Sequence, residues 1–480
     1  MAMKLIAEKE FNFILKDDET GSLFYYLKTL EKEEDKKIVE KIAQEFIEKY
    51  KILSLYKLVK EKKEIIKTIN SLVEKYKVKE KIKDNVITEV LMLVSDAMRL
   101  APLMLDPGIE DIQVMGYDKE VVIAHNEFGI CTTNISFNKE ENKLKKLLER
   151  IIRGQQVQIS FSNPIIDTSL SDGSRLNSTI EPISPNGPTL TIRKFSARPL
   201  TIINLVKKGQ LTPDAAALLW LYMDAFQAAP INIIIGGGVG SGKTTFTNAL
   251  TLFIPNEEVL LTIEDTQELQ PQTKNTIRLV SRPGSLEGTG EISQDILLKA
   301  SLRKNPDRII IGEMRGKEAG SLFAAMNVGR KCLTTIHANR SEEVIKRLTN
   351  PPMNVPIELI GLLDIIIMMV RINEGDRIKR RVFQISELID KGNNKYDINN
   401  VYEWNPKTDC LEKKNEPVKV KEIAEFLAVN ESLIKEDLEK REEIIRVLSE
   451  KEKSVEEMRR VIEKYHRAII HFIRKNHYNK

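Results

Sequence analysis

The residues from Gly237 to Thr244 carry the clearest chemical signal in this sequence. They read GGVGSGKT and match the pattern G-x-x-x-x-G-K-[ST], in which glycines let successive backbone N–H groups turn toward one anion. Lys243 is placed to reach the outer phosphates of a nucleotide, and Thr244 to ligate Mg²⁺. The predicted nucleotide-binding residues are Gly237, Gly238, Val239, Gly240, Ser241, Gly242, Lys243, Thr244 and Thr245.

Acidic residues follow two apolar segments that read as buried strands. Ile309–Ile311 is followed by Gly312 and Glu313, which is typical of a Walker B segment, so Glu313 is predicted to act on the metal's water shell or the attacking water. Val259–Ile263 is followed by Glu264 and Glu268, and carboxylates at the carboxyl ends of parallel strands lie where such sheets bind ligands. Both are candidates for polarising water, although Glu268 also fits a solvated loop acid.

A histidine and several arginines complete the set of candidate residues. His337 ends the apolar segment Leu333–Ile336, where it is either a structural residue with satisfied hydrogen bonds or a sensor that donates to the γ-phosphate. A planar guanidinium matches phosphate oxygens, so arginines can also act on a neighbouring subunit's nucleotide. Most arginines are expected to be surface residues, and the candidates for an interface role are Arg193, Arg198 and Arg278.

These residues need a sheet to bring them together, and residues 211–395 alternate strand and helix signals. Thr212-Pro213-Asp214 starts a helix, and apolar segments at Ile231–Ile235, Val259–Ile263, Ile309–Ile311 and Leu333–Ile336 read as strands. This order predicts an α/β domain with a mostly parallel sheet covered by helices on both faces.

The rest of the chain divides by its patterning. Residues 1–90 are rich in Lys and Glu with apolar residues at helical spacing, which predicts amphipathic helices that either pack on a neighbour or dock to a membrane partner. Residues 91–200 read as an α+β subdomain and 201–210 as a linker. Residues 396–480 read as a helical region that caps the preceding domain, because their apolar period is not sustained enough for a coiled coil.

Composition argues against several classes of protein. A net charge of +4 on 480 residues and an aromatic content of 6% do not favour nucleic acid as the main partner. The 3 cysteines are widely separated, which disfavours a disulfide framework or a zinc ribbon and favours a reducing cytosol. No segment reads as a signal peptide or a transmembrane span, so a membrane role is expected to be peripheral or through a partner.

Taken in order, these segments resemble the secretion and type IV filament ATPases, which power type II and type IV secretion, type IV pili and archaella. The likeness covers about residues 95–390. Gly237–Thr244 corresponds to the Walker A motif, and the segment around Leu302–Gly316 to the Walker B motif. Ile263–Leu269 is similar to the family's Asp box, and Thr334–Asn339 to its His box. The run Arg347–Pro356 looks most like the archaeal branch.

The resemblance implies a RecA-like P-loop ATPase domain, preceded by an N-terminal ATPase subdomain, in a homo-hexamer that binds ATP and Mg²⁺. Thr244 and Glu313 are the implied metal site. The implied partners are a polytopic membrane platform protein and, indirectly, pilin-like or secreted subunits, with the chain on the cytoplasmic side of the membrane. No nucleic acid is expected.

Two departures from the family pattern and two rival functions belong beside this hypothesis. Many relatives carry Gly-His before the His box, whereas this chain has Gly329-Arg330. The four-cysteine zinc module of some secretion ATPases is absent from the sequence. A nucleic-acid translocating or DNA-transfer ATPase of the same core fold is the alternative function, and a nucleotide switch without productive turnover is a third.

Overall fold

The computed structural model describes residues 3–478 apart from 10, 140–141, 156–157, 196–198, 283–289, 376 and 452. The chain forms two compact units. Unit 1 comprises Met1–Ala197 with Asn373–Ile378, and unit 2 comprises Arg198–Ile372 with Lys379–Lys480.

Unit 1 is built on one sheet, which has nine strands within the described residues, in the order β1-β2-β3-β6-β5-β4-β9-β8-β7. Neighbouring strands are antiparallel except for the pair β3 and β6. The strands are β1 (Met3–Glu8), β2 (Asn12–Asp17), β3 (Leu23–Leu27), β4 (Ile109–Met115), β5 (Glu120–His125), β6 (Gly129–Ser136), β7 (Ile165–Ser169), β8 (Arg175–Thr179) and β9 (Thr189–Arg193).

The first strands correct the prediction that residues 1–90 are helical. Within Leu23–Leu27, Tyr25 and Leu27 are buried while Tyr26 between them is exposed, which is the alternation of a half-buried strand. β3 then pairs with β6, a strand more than 100 positions later in the chain. A short alternating segment beside a long Lys- and Glu-rich stretch has too few residues to dominate a helical pattern, so the prediction missed it.

Helices occupy the N-terminal region from Glu33 onward, as the spacing predicts. They are α1 (Glu33–Tyr50), α2 (Leu55–Lys60), α3 (Lys62–Lys75), α4 (Lys83–Val94) and α5 (Ala101–Leu105), and α6 (Lys143–Ile151) follows after β6. In α1, Val39, Ile42 and Phe46 lie on one buried face at helical spacing. They join the core beneath the sheet of unit 1, so the amphipathic faces serve packing within this unit.

The segment predicted as a linker, 201–210, contains a packed helix, α7 (Ile202–Lys207). Its first turn is closed by a capping box, in which Asn204 N donates to Thr201 Oγ1 and Thr201 N donates to Asn204 Oδ1. Ile202, Ile203 and Leu205 are buried. The sequence signal was weak because Asn occupies the position where a capping box usually has Glu or Gln.

Unit 2 also has one sheet of nine strands within the described part of the chain, in the order β12-β11-β13-β14-β10-β15-β16-β17-β18. From β12 to β15 every neighbouring pair is parallel. The strands are β10 (Ile233–Gly237), β11 (Leu260–Glu264), β12 (Thr276–Val280), β13 (Arg308–Ile311), β14 (Lys331–Ile336), β15 (Ile365–Glu374), β16 (Arg377–Asp390), β17 (Tyr396–Asn405) and β18 (Cys410–Lys413).

Both faces of this parallel sheet are covered, as predicted. Along β10, Ile233 and Ile235 join one apolar core, and Ile234 between them joins the other. The surrounding helices are α8 (Pro213–Asp224), α9 (Lys243–Leu250), α10 (Gln294–Ser301), α11 (Glu318–Asn327) and α12 (Ser341–Thr349). Strand β14 lies between β10 and β13, the strand order of a RecA-like P-loop domain, so the predicted fold class is confirmed.

The C-terminal region begins with strands, which corrects part of the prediction that 396–480 is helical. β17 and β18 extend the sheet beyond β16, and the preceding turn holds Gly392, Asn393 and Asn394 at positive φ. The helices are α13 (Val418–Phe426), α14 (Glu431–Glu450) and α15 (Val455–Tyr478). Their apolar residues, including Ile434, Leu448 and Ile462, join the core of unit 2. These helices therefore cap the domain and do not form a separate coiled coil.

Two further expectations were tested by the fold. Cys131, Cys332 and Cys410, all in the described part of the chain, are free thiols. Among the described residues, no helix combines the length and the apolar character needed to cross a membrane.

Candidate functional site

The glycine-rich loop joins β10 to α9 at the carboxyl edge of the parallel sheet. Gly242 caps the helix at φ +95°, a left-handed conformation that side chains rarely adopt. A Cβ at Gly237 would lie 2.7 Å from the carbonyl oxygen of Met369 on β15, so the loop starts against a neighbouring backbone. The sequence therefore forms a compact turn whose N–H groups precede the positive end of a helix.

Lys243 is folded back over this loop. Its Nζ donates to the carbonyl oxygens of Gly237 at 2.9 Å and Gly238 at 3.0 Å, and the residue is buried. Burial lowers the pKa of Lys243, while the nearby Glu313 raises it. The ammonium group is thus held within the loop that the pattern assigns to phosphates. Thr244 beside it is half-buried, whereas Thr245 and Val239 are exposed.

A chain of side chains connects this lysine to the acid at the end of β13. The Nδ1 atom of His337 lies 3.4 Å from Lys243 Nζ, and its Nε2 atom lies 2.7 Å from Glu313 Oε1. The second distance is a close contact without hydrogen-bond alignment, since Glu313 Oε1 has no aligned donor, and it becomes an ion pair only when His337 is protonated. Burial and then Lys243 lower the pKa of His337. The structure thus brings together the phosphate-loop lysine, the predicted sensor and the predicted Walker B acid.

Glu264 occupies the end of β11, beside this group. Its Oε1 accepts hydrogen bonds from the backbone N of Glu268 at 2.9 Å and of Leu269 at 2.8 Å, while the buried Oε2 has no partner. Burial raises the pKa of Glu264 to about 7. Gly312 permits this approach, because a Cβ there would be 3.2 Å from Glu264 Cγ. Glu264 is therefore a fixed carboxyl group whose second oxygen is unpartnered.

Glu268 is held through its backbone. Asn248 on α9 donates from Nδ2 to the carbonyl oxygen of Glu268 at 3.2 Å and accepts at Oδ1 from Gln270 N at 2.7 Å. The side chain of Glu268 itself is exposed. This geometry ties the acidic loop to the helix that follows the phosphate loop, and it leaves both readings of Glu268 open.

Two arginines that the sequence patterns did not indicate lie beside the phosphate loop. Arg380 on β16 donates from Nε to the carbonyl oxygen of Gly240 at 3.0 Å. Arg371 on β15 is exposed, and its Nη1 lies 3.1 Å from the position a Cβ of Gly240 would take. A signal did exist for Arg371, because it follows the apolar segment Ile365–Val370 at the carboxyl edge of a parallel strand. Arg380 lies on an antiparallel strand and had no such signal.

The predicted interface arginines lie elsewhere. Arg193 belongs to unit 1, where its Nε lies 3.1 Å from Asp111 Oδ1. Arg278 is exposed on β12. Its charge slightly lowers the pKa of Glu264, against the larger effect of burial, which raises that pKa. Arg198 lies outside the described residues. Their interface roles stay predictions.

Arg330, where the resemblance leads one to expect histidine, lies just before β14, at the opposite end of that strand from His337. Its Nη1 donates to the carbonyl oxygen of Pro306 at 2.9 Å and its Nη2 to Asn305 Oδ1 at 2.5 Å. Arg330 therefore holds the turn that leads into β13 and is remote from the phosphate loop along the strand.

The site fits a Mg²⁺ ion held largely by nucleotide and water. No group of three or more His, Cys, Asp or Glu side chains in the described part of the chain is arranged to hold a metal. Thr244 and Glu313 lie at the same sheet edge, and Glu313 Oε1 and Glu264 Oε2 are buried oxygens without aligned donors. Mg²⁺ commonly keeps several waters and takes few protein ligands, which suits this set.

A family model described as "Type II/IV secretion system protein" matches residues 94–472. The uncharacterised protein MJ0781 of Methanocaldococcus jannaschii is 45% identical over 228 residues, which is 47% of this chain and 31% of that protein. The chain thus spans less than a third of the length of this relative.

Two further matches are VirB11 proteins. The protein VirB11 of Rhizobium radiobacter is 31% identical over 267 residues, covering 51% of this chain and 76% of that protein. The crystal structure of the VirB11 ATPase from the Brucella suis type IV secretion system, in complex with sulphate, is 26% identical. It covers 60% of this chain and 94% of that chain with a TM-score of 0.29.

Proposed function

Because this chain belongs to the type II/IV secretion system protein family, we propose that it is an ATP-hydrolysing hexameric motor. Its work would be to assemble a type IV pilus-like or archaellum filament, or to secrete protein, through a membrane platform protein. Residues 211–395 would hydrolyse the nucleotide and residues 91–200 would form the N-terminal ATPase subdomain. The motor would act on the cytoplasmic side of the membrane, held there by its partners.

The observation that carries this proposal is the contact chain from Lys243 through His337 to Glu313. It links the phosphate loop to the strand-end acid by 3.4 Å and 2.7 Å contacts. Lys243 would release the carbonyls of Gly237 and Gly238 to bind the β- and γ-phosphates. His337 would donate to the γ-phosphate as it leaves, and Glu313 would accept the proton of the attacking water.

The remaining acids support this arrangement. Glu264, with one oxygen fixed by backbone donors and one unpartnered, would orient the water or a ligand's hydroxyl group. Glu268 would contribute negative charge at the edge. A Mg²⁺ ion bound by Thr244, with Glu313 ordering its waters, would neutralise phosphate charge.

Hydrolysis would be converted to motion by a shift between conformations. Contacts to the γ-phosphate stabilise a closed arrangement, and their loss stabilises an open one. In a hexamer, Arg193, Arg198 or Arg278 would supply a guanidinium to a neighbour's phosphates. The motion would pass to the platform protein, and from it to pilin-like or secreted subunits.

The direct test is the ATPase activity of the purified chain. We expect Mg²⁺-dependent release of phosphate from ATP, with sixfold assembly detected by native mass spectrometry in the presence of a non-hydrolysable ATP analogue. Absence of turnover in assembled protein would exclude a motor and leave a nucleotide switch as the better account.

A second candidate function is nucleic-acid translocation, which is favoured by the names of some relatives. The conjugal transfer protein TrbB of Rhizobium radiobacter is 31% identical over 233 residues. The net charge of +4 and the low aromatic content give this candidate little support. ATPase assays with and without single- and double-stranded DNA separate the two functions. DNA should stimulate the turnover of a nucleic-acid motor and should leave the turnover of a secretion motor unchanged.

A further inference from the structure

A cleft of about 440 Å³ lies beside the Glu313–His337 pair in unit 2. It is walled by the segment that follows β13, by the end of β14, and by α12 with the residues after it. Arg315, His337, Lys346 and Arg347 line it. Among the described residues that line this cleft there is no Asp or Glu. A volume of this size suits a small ligand, and a lining with the three cations Arg315, Lys346 and Arg347 and no carboxylate suits an anion.

The lining arginines are now paired with acids that stand outside the cleft wall. Arg347 Nε lies 2.9 Å from Glu343 Oε1 in an i,i+4 pair, with its side chain 48% exposed. Arg315 Nη2 contacts Glu313 Oε2, with its side chain 68% exposed. Exposed pairs of this kind are weak, so an anion that enters the cleft competes with them on favourable terms. Both arginines also depress the pKa of His337, after the larger effects of burial and Lys243.

Arg315 connects the cleft to Glu313, the proposed general base. Its backbone N and that of Gly316 donate to Glu318 Oε1 at 2.5 and 2.6 Å, which fixes the main chain at this point. The guanidinium contacts Glu313 from a position that also lines the cleft. In the present conformation Arg315 contacts one oxygen of Glu313 and His337 lies beside the other.

We propose that this cleft is an oxyanion-binding site, and that an anion bound there draws Arg315 away from Glu313. The ligand carries carboxylate or phosphate oxygens, which match the guanidinium fork. A carboxylate of a second copy of this chain and the free phosphate that hydrolysis releases share this chemistry. The binding step stands on the cleft alone, whereas its effect on turnover rests on the proposed role of Glu313.

The binding step is tested by thermal unfolding with sulfate as the probe, in a Lys243→Ala background that removes the main cation of the phosphate loop. We expect a saturable rise in Tm of about 2–4 °C. Lys243→Ala/Arg347→Gln should lose most of this rise. Lys243→Ala/Arg446→Gln is the matched control, because Arg446 also forms an exposed i,i+4 pair, with Glu442 on α14. Equal sulfate responses in all three proteins would overturn the proposal, whatever the ATPase activity proves to be.

The coupling step is tested in otherwise wild-type protein by Arg315→Gln. We expect turnover at low protein concentration without added anion to rise about two- to fivefold. This is the change in the fraction of molecules with an unpaired Glu313 that loss of an exposed ion pair produces. The variant should also lose any further response to anion. Lower turnover at every concentration would contradict the coupling and assign Arg315 a direct role in the reaction.

The source of the anion is identified by two titrations. In the first titration, turnover per chain is measured as the protein concentration rises. If it rises, and rises less in Arg347→Gln, the bound anion is a carboxylate of a second copy. In the second titration, phosphate is added at a fixed protein concentration. If turnover responds, and responds less in Arg347→Gln, the bound anion is free phosphate. If wild type and Arg347→Gln behave alike in both titrations, the coupling is wrong.

Discussion

The two ends of the parallel sheet in unit 2 use charged residues in opposite ways. At the carboxyl end, Glu313, His337 and Arg315 have side chains that are 21%, 37% and 68% exposed. One carboxyl oxygen of Glu264 and one of Glu313 have no aligned donor. These groups can exchange partners, which a site that binds and releases phosphates requires.

At the opposite end, charged groups are buried and held by several partners. Arg308 donates from Nε to Glu258 Oε2 at 2.9 Å and also contacts the carbonyl oxygen of Met223 at 2.5 Å. Lys331 lies 2.5 Å from the other oxygen of Glu258. Arg308 and Glu258 are both buried, and the positive charges of Arg308 and Lys331 hold the pKa of Glu258 below its ordinary value despite burial.

A second buried network attaches the C-terminal helices near this end. Arg441 on α14 is fully buried, with Nη1 2.7 Å from Asp224 Oδ2 and Nε 2.5 Å from Asp437 Oδ2. Its guanidinium also lies 4.8 Å from the ring centre of Trp220. The comparison teaches that one end of this sheet is built for exchange of ligands and the other for permanent packing. Substitutions should therefore separate activity from stability.

The largest expected effect is on turnover. Lys243→Ala should reduce ATP turnover at least about 100-fold, because the Lys243 ammonium lies within the loop on the carbonyls of Gly237 and Gly238, whereas Arg380 reaches the loop at Gly240. Thermal stability should change little. Steady-state phosphate release measures the first and calorimetry the second, with Lys299→Ala, an exposed lysine of α10, as the control. Normal turnover in Lys243→Ala would overturn the assignment of the phosphate loop.

Substitution in the buried network of Arg441, Asp224 and Asp437 is expected to reduce stability and to leave activity unchanged. Arg441→Met should lower the free energy of unfolding by about 3–5 kcal/mol, because Asp224 and Asp437 would remain buried without their guanidinium partner. Turnover per folded molecule should be preserved. Urea unfolding followed by circular dichroism measures the loss.

The acids provide the control for that substitution. Asp224→Asn/Asp437→Asn/Arg441→Met removes the uncompensated charges and should recover part of the stability. If the triple variant were no more stable than Arg441→Met alone, packing of the arginine stem would explain the loss and the ion network would not.

Glu313→Gln sharpens the comparison within the site. Nucleotide affinity should stay within about threefold of wild type, whereas turnover should fall about 100-fold or more, because the amide cannot accept the proton of water. Binding is measured with a fluorescent ATP analogue, and turnover by phosphate release. Unchanged phosphate release would reject Glu313 as the general base and direct attention to Glu264.

Glu264→Gln tests a carboxyl group at the carboxyl end of the parallel sheet that is as buried as Glu258 at the opposite end. Its pKa is raised to about 7, so between about pH 4.5 and 7 the unfolded chain loses this proton while the folded chain keeps it. Wild type should therefore lose about 3 kcal/mol of stability over that interval relative to Glu264→Gln. The difference in unfolding free energy, measured from pH 4.5 to 8, checks this. Parallel curves for the two proteins would mean that Glu264 has an ordinary pKa when folded.

Patterns that are local in sequence predicted much of this protein. The glycine loop between an apolar strand and a helix, the apolar strands of the parallel sheet, and the acids at strand ends are all set by neighbouring residues. The same local reasoning missed β1, β2 and β3, because short alternating strands became visible only through pairing with distant segments. It also missed α7, whose cap uses an asparagine.

The sequence by itself determined that a phosphate loop exists and which residues begin it, since backbone freedom at glycine and the charge of Lys243 are properties of the residues themselves. Tertiary structure alone decided which distant groups meet it. Strand order placed His337 and Glu313 within contact of each other and brought Arg380 to the loop. It also buried Arg441 between two aspartates. These distances follow from the packing of strands and helices far apart in the chain, which no local pattern encodes.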